Sequence, residues 1–390
     1  MKIADIQSQL TEAGLDGWLF FDHHQRDPLA YRILGLGHKG HVSRRWYYFI
    51  PAGGEPRALV HRIESRMLDE LPGEKLPYST WQEQAEGIAK LLGGARRIAM
   101  QYSPNCAIPY VSLVDAGTIE FVRAAGAEIV TSAELVQHFE AKLDAAARET
   151  HFEAGRRVDP IRKAAFDLIR EKLRSGKGTS EMEVHDFIQA QFKAQGLTTE
   201  SGPIVGVNAH AGDPHYEPTP ATSAPIRRGD FVLLDMWAKL DQPGSVYYDI
   251  TWTGFCGPKP PDKIREVFEV VRDARNAGIG AVQSAVKDSR PIRGFEVDDA
   301  TRAHISSHGY AQAFVHRTGH SIGQEIHGSG ANMDNFETHD ERRIVPGLCF
   351  SIEPGIYLPD FGVRSEIDMF IDESSASVTG EMQDALVLMD

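Results

Sequence analysis

Short apolar runs alternate with amphipathic stretches through the first third of this 390-residue chain. The opening stretch MKIADIQSQLTEAGLDG spaces its apolar positions at helical intervals and predicts a helix ending near Gly17. WLFFD, RWYYFIP, RALVHR and RRIAMQY then read as strands, with helical patterns between them. A layered β/α unit to about residue 135 follows from that alternation. Residues 131–173 turn helical, with Ser132 as a candidate N-cap, plentiful alanine and charges spaced along one face. The boundary falls inside this region, near residues 140–155, and divides the chain into domains 1–150 and 151–390. Residues 157–174 then read as the first helix of the second domain.

Beyond that point helical patterns cover 181–195, 262–286 and 297–308, and a Gly/Pro-rich segment covers 202–225. Two stretches rich in apolar and β-branched residues are each broken by a turn signal. FVLLDMWAKLDQPGSVYYDITWTGF turns at Asp241-Gln242-Pro243-Gly244, and CFSIEPGIYLPDFGVRSEID at Pro359-Asp360-Phe361-Gly362. Both predict antiparallel hairpins. Helices alternating with hairpins make the fold class α+β. The two hairpins hint at an internal pseudo-duplication, although no sequence repeat accompanies it.

The hairpins matter for the acids they carry. Pairing outward from the first turn sets Asp235 almost opposite Asp249; the same construction sets Glu353 nearly opposite Glu366. Facing residues on one side of a sheet have Cβ atoms about 4.5–5.5 Å apart, where two like charges destabilise unless a cation lies between them. Val, Leu, Ile, Phe and Tyr flank both pairs, which predicts interior strands, and unpaired acids there are costly. Between the hairpins lies HRTGHSIGQEIHG, where Gly319 and Gly323 give the backbone around His320 freedom to bring its ring close to a metal. HRTGH lacks the glutamate of a zinc-binding HExxH helix, and Gly319 disfavours a helix. Four carboxylates and one imidazole form a hard, oxygen-rich set suited to a pair of divalent cations. His215 in GDPHYEP, His316 and His327 are further candidates whose context fits a site residue and an ordinary surface or core histidine equally well.

A net charge of −14 argues against a general nucleic-acid binder. Cys106, Cys256 and Cys349 are widely spaced and odd in number, so neither a disulfide framework nor a zinc pattern is expected. No apolar run approaches bilayer length, and the first residues do not resemble a signal peptide. A cytoplasmic protein with no membrane partner is the expectation.

The ordered set Asp–Asp–His–Glu–Glu, with GHSIG, IEPGIY and VRSE around it, resembles the pita-bread metallopeptidases. That superfamily includes methionine aminopeptidase, Xaa-Pro aminopeptidase, prolidase and the metal-free amidinohydrolase creatinase. The first third resembles the creatinase-type domain of the proline-specific members. The resemblance implies a creatinase-type domain over 1–150, a pita-bread catalytic domain over 151–390, a dinuclear centre and a homodimer. Under it Asp235 would bind one ion and Asp249 bridge both. His320 and Glu353 would bind the other ion, and Glu366 would bridge. Mn2+ leads the expectation, with Co2+, Fe2+ or Zn2+ also compatible. His215, His316 and His327 match substrate-facing histidines, and Arg364 matches an arginine that helps hold the peptide.

The implied reaction is hydrolysis of Xaa-Pro bonds in small peptides. Water between two ions is made acidic enough to yield hydroxide near neutrality, and Glu353 takes its proton. His327 and one ion would stabilise the oxyanion, while His215 or His316 would orient the substrate or protonate the departing nitrogen. Three features depart from the family pattern: Trp252 stands where DITRT has arginine, the hairpin joining the aspartates is slightly longer, and HGSG follows His327 in place of HE or HD with a nearby proline. They leave a small-molecule C–N substrate open beside a peptide. A non-catalytic binding module is the third reading, and the complete ligand set counts against it.

Overall fold

A computed structural model describes residues 3–37 and 41–390. The chain divides into two compact units, residues 1–140 and 141–390. Residue 150 lies inside the helix Ala145–Arg174, which belongs wholly to the second unit.

In the first unit the opening helix runs over Ile3–Glu12 and stops short of Gly17, because Gly14 takes a left-handed φ of 63° that breaks the helical path. Met1 and Lys2, the start of the expected helix, lie outside the described residues. A six-stranded mixed sheet follows, with Gly17–Asp22 near its centre between Trp46–Pro51 (antiparallel) and Arg97–Met100 (parallel). Every residue of Gly17–Asp22 is buried. Trp18 and Phe20 join one core cluster while Leu19 and Phe21 join another, so WLFFD reads as an unbroken apolar run because both faces are covered. Arg57–His61 continues the sheet, and Glu74–Tyr78 and Glu128–Thr131 form its edges.

The helical pattern over 131–173 is interrupted. A short turn at Ala133–Val136 and a wider one at Gln137–Ala141 precede the long helix Ala145–Arg174. Asp144 starts that helix: its backbone is extended and its carboxylate accepts the Ala147 amide at 2.8 Å. Ser132 makes no such capping bond.

Helices and antiparallel hairpins make the second unit α+β. Helices Glu181–Ala194, Asp262–Lys287 and Gly294–Ser307 lie close to the stretches that carry helical periodicity. The first hairpin joins Phe231–Leu240 to Tyr248–Phe255, with Ile204–Val207 on its flank. Its two faces differ. Val232, Leu234, Met236 and Ala238, with Tyr248 and Ile250, pack with Val158, Ile161 and Ala165 of the long helix. Asp235, Asp249, Thr251 and Thr253 occupy the alternate positions and therefore the other face. The second hairpin is split. Cys349–Ile352 pairs with Ile367–Ile371, and Gly355–Tyr357 pairs with Gly362–Arg364 in the same register.

His151 fastens these parts together. Its fully buried ring faces the Tyr247 carbonyl through Nδ1 at 2.5 Å, so Nδ1 carries the proton and Nε2 accepts the Thr379 hydroxyl at 2.8 Å. One imidazole thus ties the long helix to the entry of Tyr248–Phe255 and to the segment following Ala376–Val378.

Burial lowers the His151 pKa from 6.5 to about 4, which favours the neutral ring. Because the folded value lies below the unfolded one, this stabilisation is complete above pH 6.5 and is lost as pH falls toward 4. Over that window the parent should lose about 3 kcal/mol relative to His151→Gln, measured by urea unfolding at a series of pH values. Parallel pH profiles for the two proteins would show that His151 does not titrate this way.

Candidate metal centre

The first hairpin places its aspartates on one face, but not opposite each other. Asp235 pairs with Thr251, and Asp249 with Trp237. Regular pairing ends at Ala238 and Tyr248, while Lys239 and Leu240 pair instead with Thr198 and Leu197, so the connection is longer than the turn signal alone implies. The offset is one two-residue step, which moves a side chain along the strand without changing its face. In the second hairpin Glu353 and Glu366 sit at the break, in the register shared by the pairs on either side. There the backbones turn to other elements: the Glu353 amide donates to Thr318 O at 2.7 Å and the Glu366 amide to Thr251 O at 3.2 Å. The second bond joins the two hairpins at their acids.

Ligand atoms of Asp249, His320 and Glu366 lie within 4.8 Å of one another, and all three residues are buried. The His320 Nδ1 faces the Ser321 carbonyl at 3.2 Å, which leaves Nε2 directed at Glu353 (3.3 Å) and Asp249 (3.7 Å). Burial, followed by His327 and Arg317, holds the His320 pKa well below its ordinary value, so its Nε2 offers a lone pair. Gly319 is needed for close approach: a Cβ there would stand 2.0 Å from the Ser351 carbonyl oxygen. Ser351 bonds both the His320 amide (3.0 Å) and Glu353 (3.1 Å) through its hydroxyl.

The acids are compensated unevenly. Asp235 is bonded by the Arg364 guanidinium, and Glu366 accepts the Thr251 hydroxyl at 2.7 Å. Asp249 has a buried carboxylate oxygen with no partner among the described residues. Burial, then Asp235, Asp368 and Glu353, raise its pKa well above the usual range; burial, then Asp249, Glu353 and Asp235, do the same for Glu366. Glu353 is pushed up to about 7 by burial, against the pull of Arg364 and Arg317. An unpartnered acid oxygen, acids raised by one another and a neutral imidazole with a free lone pair fit divalent cations, which favour the charged acids.

The other candidate residues surround this cluster. The His327 ring packs edge-on against His320 at 4.4 Å. Its pKa is lowered to about 4 by burial, then by Arg317 and His215, so His215 lies within electrostatic reach. The His316 Nε2 meets the Tyr357 hydroxyl at 2.7 Å, and Arg364 donates to the same oxygen at 3.1 Å. Arg364 also bonds Thr251 Oγ1 at 3.0 Å and Pro214 O at 3.3 Å. Trp252 faces the other way. It packs with the long-helix cluster, where the Arg162 guanidinium carbon lies 3.3 Å from its ring centroid, so this departure has no direct line to the acids. In HGSG, Gly328 fits tightly against Ser321: its amide donates to Ser321 O at 2.7 Å, and a Cβ would approach the Ser321 hydroxyl at 2.9 Å.

Asp368 and Tyr357 were missed by sequence reasoning. Asp368 is fully buried two residues beyond Glu366, and its Oδ2 accepts the Asp249 amide at 2.8 Å. Its Oδ1 has no partner among the described residues. The His151 Nε2 lies 4.0 Å away, but a neutral imidazole does not make that contact an ion pair. The available signal was the i, i+2 spacing of Glu366 and Asp368 inside an apolar run. Tyr357 lay in plain view in IEPGIY, but nothing there marked its hydroxyl for His316 and Arg364.

Comparison with known proteins bears on the same region. The pattern of metallopeptidase family M24 matches residues 149–373. An Xaa-Pro dipeptidase of Lactobacillus delbrueckii subsp. lactis is 35% identical over 205 residues, covering 52% of this chain and 50% of that relative. The chain thus spans about half the length of such curated relatives. Among solved structures, dipeptidase PepE from Mycobacterium ulcerans aligns with TM-score 0.71 at 23% identity, covering 99% of this chain and 96% of that one. A prolidase from Thermococcus sibiricus aligns with TM-score 0.67 at 23% identity, covering 99% and 98%. The fold shared with these dipeptidase and prolidase structures, a pita-bread unit preceded by a smaller β/α unit, therefore extends over the whole chain. No helix among the described residues is long and apolar enough to cross a membrane.

Asp368→Ala removes the acceptor behind Asp249 and should weaken Mn2+ binding roughly 10- to 100-fold, read by calorimetric titration of metal-stripped protein. Asp368→Asn keeps an oxygen acceptor and should retain most of the affinity. Parent-like binding by the alanine variant would mean that Asp249 is held without this bond.

Proposed function

Since the chain belongs to metallopeptidase family M24, we propose that it hydrolyses Xaa-Pro bonds in small peptides, with two divalent cations held by Asp235, Asp249, His320, Glu353 and Glu366. The observation that carries the reading is the buried group of Asp249, His320 and Glu366, where mutually raised acids surround one available imidazole nitrogen. In this reading Asp249 and Glu366 would be shared by the cations, and Asp235 and His320 would each help hold one of them. Mn2+ is the first candidate for an oxygen-rich set, with Co2+, Fe2+ and Zn2+ as competitors. When bound, the cations supply a water acidified to near neutrality and a Lewis acid for the scissile carbonyl.

The remaining chemistry belongs to side chains. Glu353, within 3.3 Å of the His320 Nε2 and bonded by the Ser351 hydroxyl, accepts the water proton. His327, beside His320 and held neutral, serves as a hydrogen-bond donor to the developing oxyanion. The proline nitrogen of an Xaa-Pro bond carries no hydrogen, so recognition rests on ring shape and flanking contacts. His215 and His316 line the approach and orient the peptide. Arg364 is fixed by Asp235, Thr251 and Tyr357, and it couples substrate contacts on the His316 side to the ligands.

The test is hydrolysis by metal-stripped protein with Mn2+, Co2+, Fe2+ or Zn2+ restored separately. Cleavage of Xaa-Pro dipeptides or Xaa-Pro-Yaa tripeptides, with matched proline-free peptides left intact, is the expected result. Binding of metal without cleavage of any proline peptide would overturn the substrate assignment. Glu353→Gln should lower kcat about 10²- to 10⁴-fold, assayed with Mn2+ in excess because the change also weakens a ligand; near-parent turnover would remove Glu353 as the base.

A further inference from the structure

His215 sits on a segment with little regular structure, between Ile204–Val207 and the two-residue strand Pro225–Ile226. A histidine that orients substrate needs its backbone held, and this segment is held from both sides of His215. On one side Pro214 O accepts Arg364, which itself bonds the ligand Asp235. On the other side the Tyr216 hydroxyl donates to Glu181 at 2.7 Å.

Glu181 is the first residue of the helix Glu181–Ala194 and has no exposed surface. Its Oε1 accepts the Val207 amide at 2.8 Å, and its Oε2 accepts the Ala224 amide at 2.6 Å. The His210 Nδ1 lies 2.9 Å from Oε1 and 3.0 Å from Oε2. Its ring stacks on Tyr216 with centroids 4.2 Å apart. A single carboxylate therefore gathers both ends of the segment and its middle. The Glu181 amide donates back to Ala224 O at 3.0 Å, and the Met182 amide donates to the Ser223 hydroxyl oxygen at 2.9 Å. A helix cap needs none of the contacts to Val207, His210 or Tyr216.

We propose that Glu181 is a positioning residue for substrate recognition: it clamps residues 207–224 so that His215 is presented beside His327 and the ligand cluster. The role rests on the reading of His215 as substrate-facing. Glutamine at 181 keeps the shape of the side chain but replaces one acceptor oxygen by a donor, which opposes the Ala224 amide or the Tyr216 hydroxyl.

The experiment compares parent, Glu181→Gln and Tyr216→Phe, all Mn2+-loaded, on an Xaa-Pro dipeptide, with amide hydrogen exchange followed in parallel. Glu181→Gln should raise KM about tenfold, keep kcat within about twofold, leave Mn2+ affinity unchanged and speed exchange across 207–224. Tyr216→Phe, which removes one bond, should shift KM the same way by a smaller factor. Unchanged KM with unchanged exchange overturns the proposal. So does an equal loss of metal affinity and kcat, which would mark general structural damage. If the parent cleaves no Xaa-Pro peptide, the substrate reading falls, and exchange still decides on the clamp: lost protection confined to 207–224 upholds it, and parent-like protection overturns it.

Discussion

Carboxylates gathered out of water lose hydration and repel one another, and the second unit is arranged around that cost. Asp235 meets Arg364, and Glu366 meets the Thr251 hydroxyl. For Asp249 and Asp368 the protein supplies less: the Asp249 amide serves Asp368, and each acid keeps an oxygen without a partner among the described residues. Uncompensated acids at this depth are tolerated in two ways. They take up protons, as their raised pKa values indicate, or they are met by cations. The geometry serves the second state, because His320 is simultaneously held neutral with its Nε2 turned toward the acids.

Holding such a cluster requires stiff supports. Both hairpins contribute acids, and they are joined where the Glu366 amide meets Thr251 O and where Asp368 meets the Asp249 amide. His151 adds a third fastening through Tyr247 O and Thr379. The opposite face of the first hairpin is closed by the long helix, with Arg162 stacked on Trp252. Repulsion among the acids is therefore opposed by strand pairing and core packing that the acids themselves do not supply.

Much of this was legible in the sequence because strands have a period of two. The alternation in FVLLDMWAKL and YYDITWTGF assigns Asp235, Asp249 and Thr251 to one face, and by the same parity Trp252 to the other. Parity survives a two-residue error, which is why Asp235 and Asp249 share a face although they are not opposite each other. The second hairpin turns one residue earlier than its signal, at Leu358–Phe361, and its register places Glu353 and Glu366 at matching positions across the break. What could not be read depends on crossings between elements distant in sequence. His151 and Thr379 are 228 residues apart, and Asp249 and Asp368 are 119 apart. Glu181 carries the ordinary signature of an acid in a helix's first turn, and nothing local shows that a loop folds back over it. The break at Asp144 hid inside an alanine-rich stretch whose propensity favours a continuous helix.

The two kinds of group in the site sit on different kinds of backbone, and this follows from what each must do. Buried acids that are to stay close despite repulsion need a rigid backbone, and Asp235 and Asp249 lie within paired strands and Glu353 and Glu366 at the ends of them. His215, His316 and His327, which are proposed to meet the substrate, lie on connecting segments outside that framework. Connecting segments lack ladders of their own, and each histidine is steadied from elsewhere: His316 by Tyr357, His327 by the ring of His320, and the segment bearing His215 by Arg364 on one side and Glu181 on the other. Arg364 is common to two of these supports and also binds Asp235. A change in the charge around Asp235 therefore acts through Arg364 on the supports of both His215 and His316.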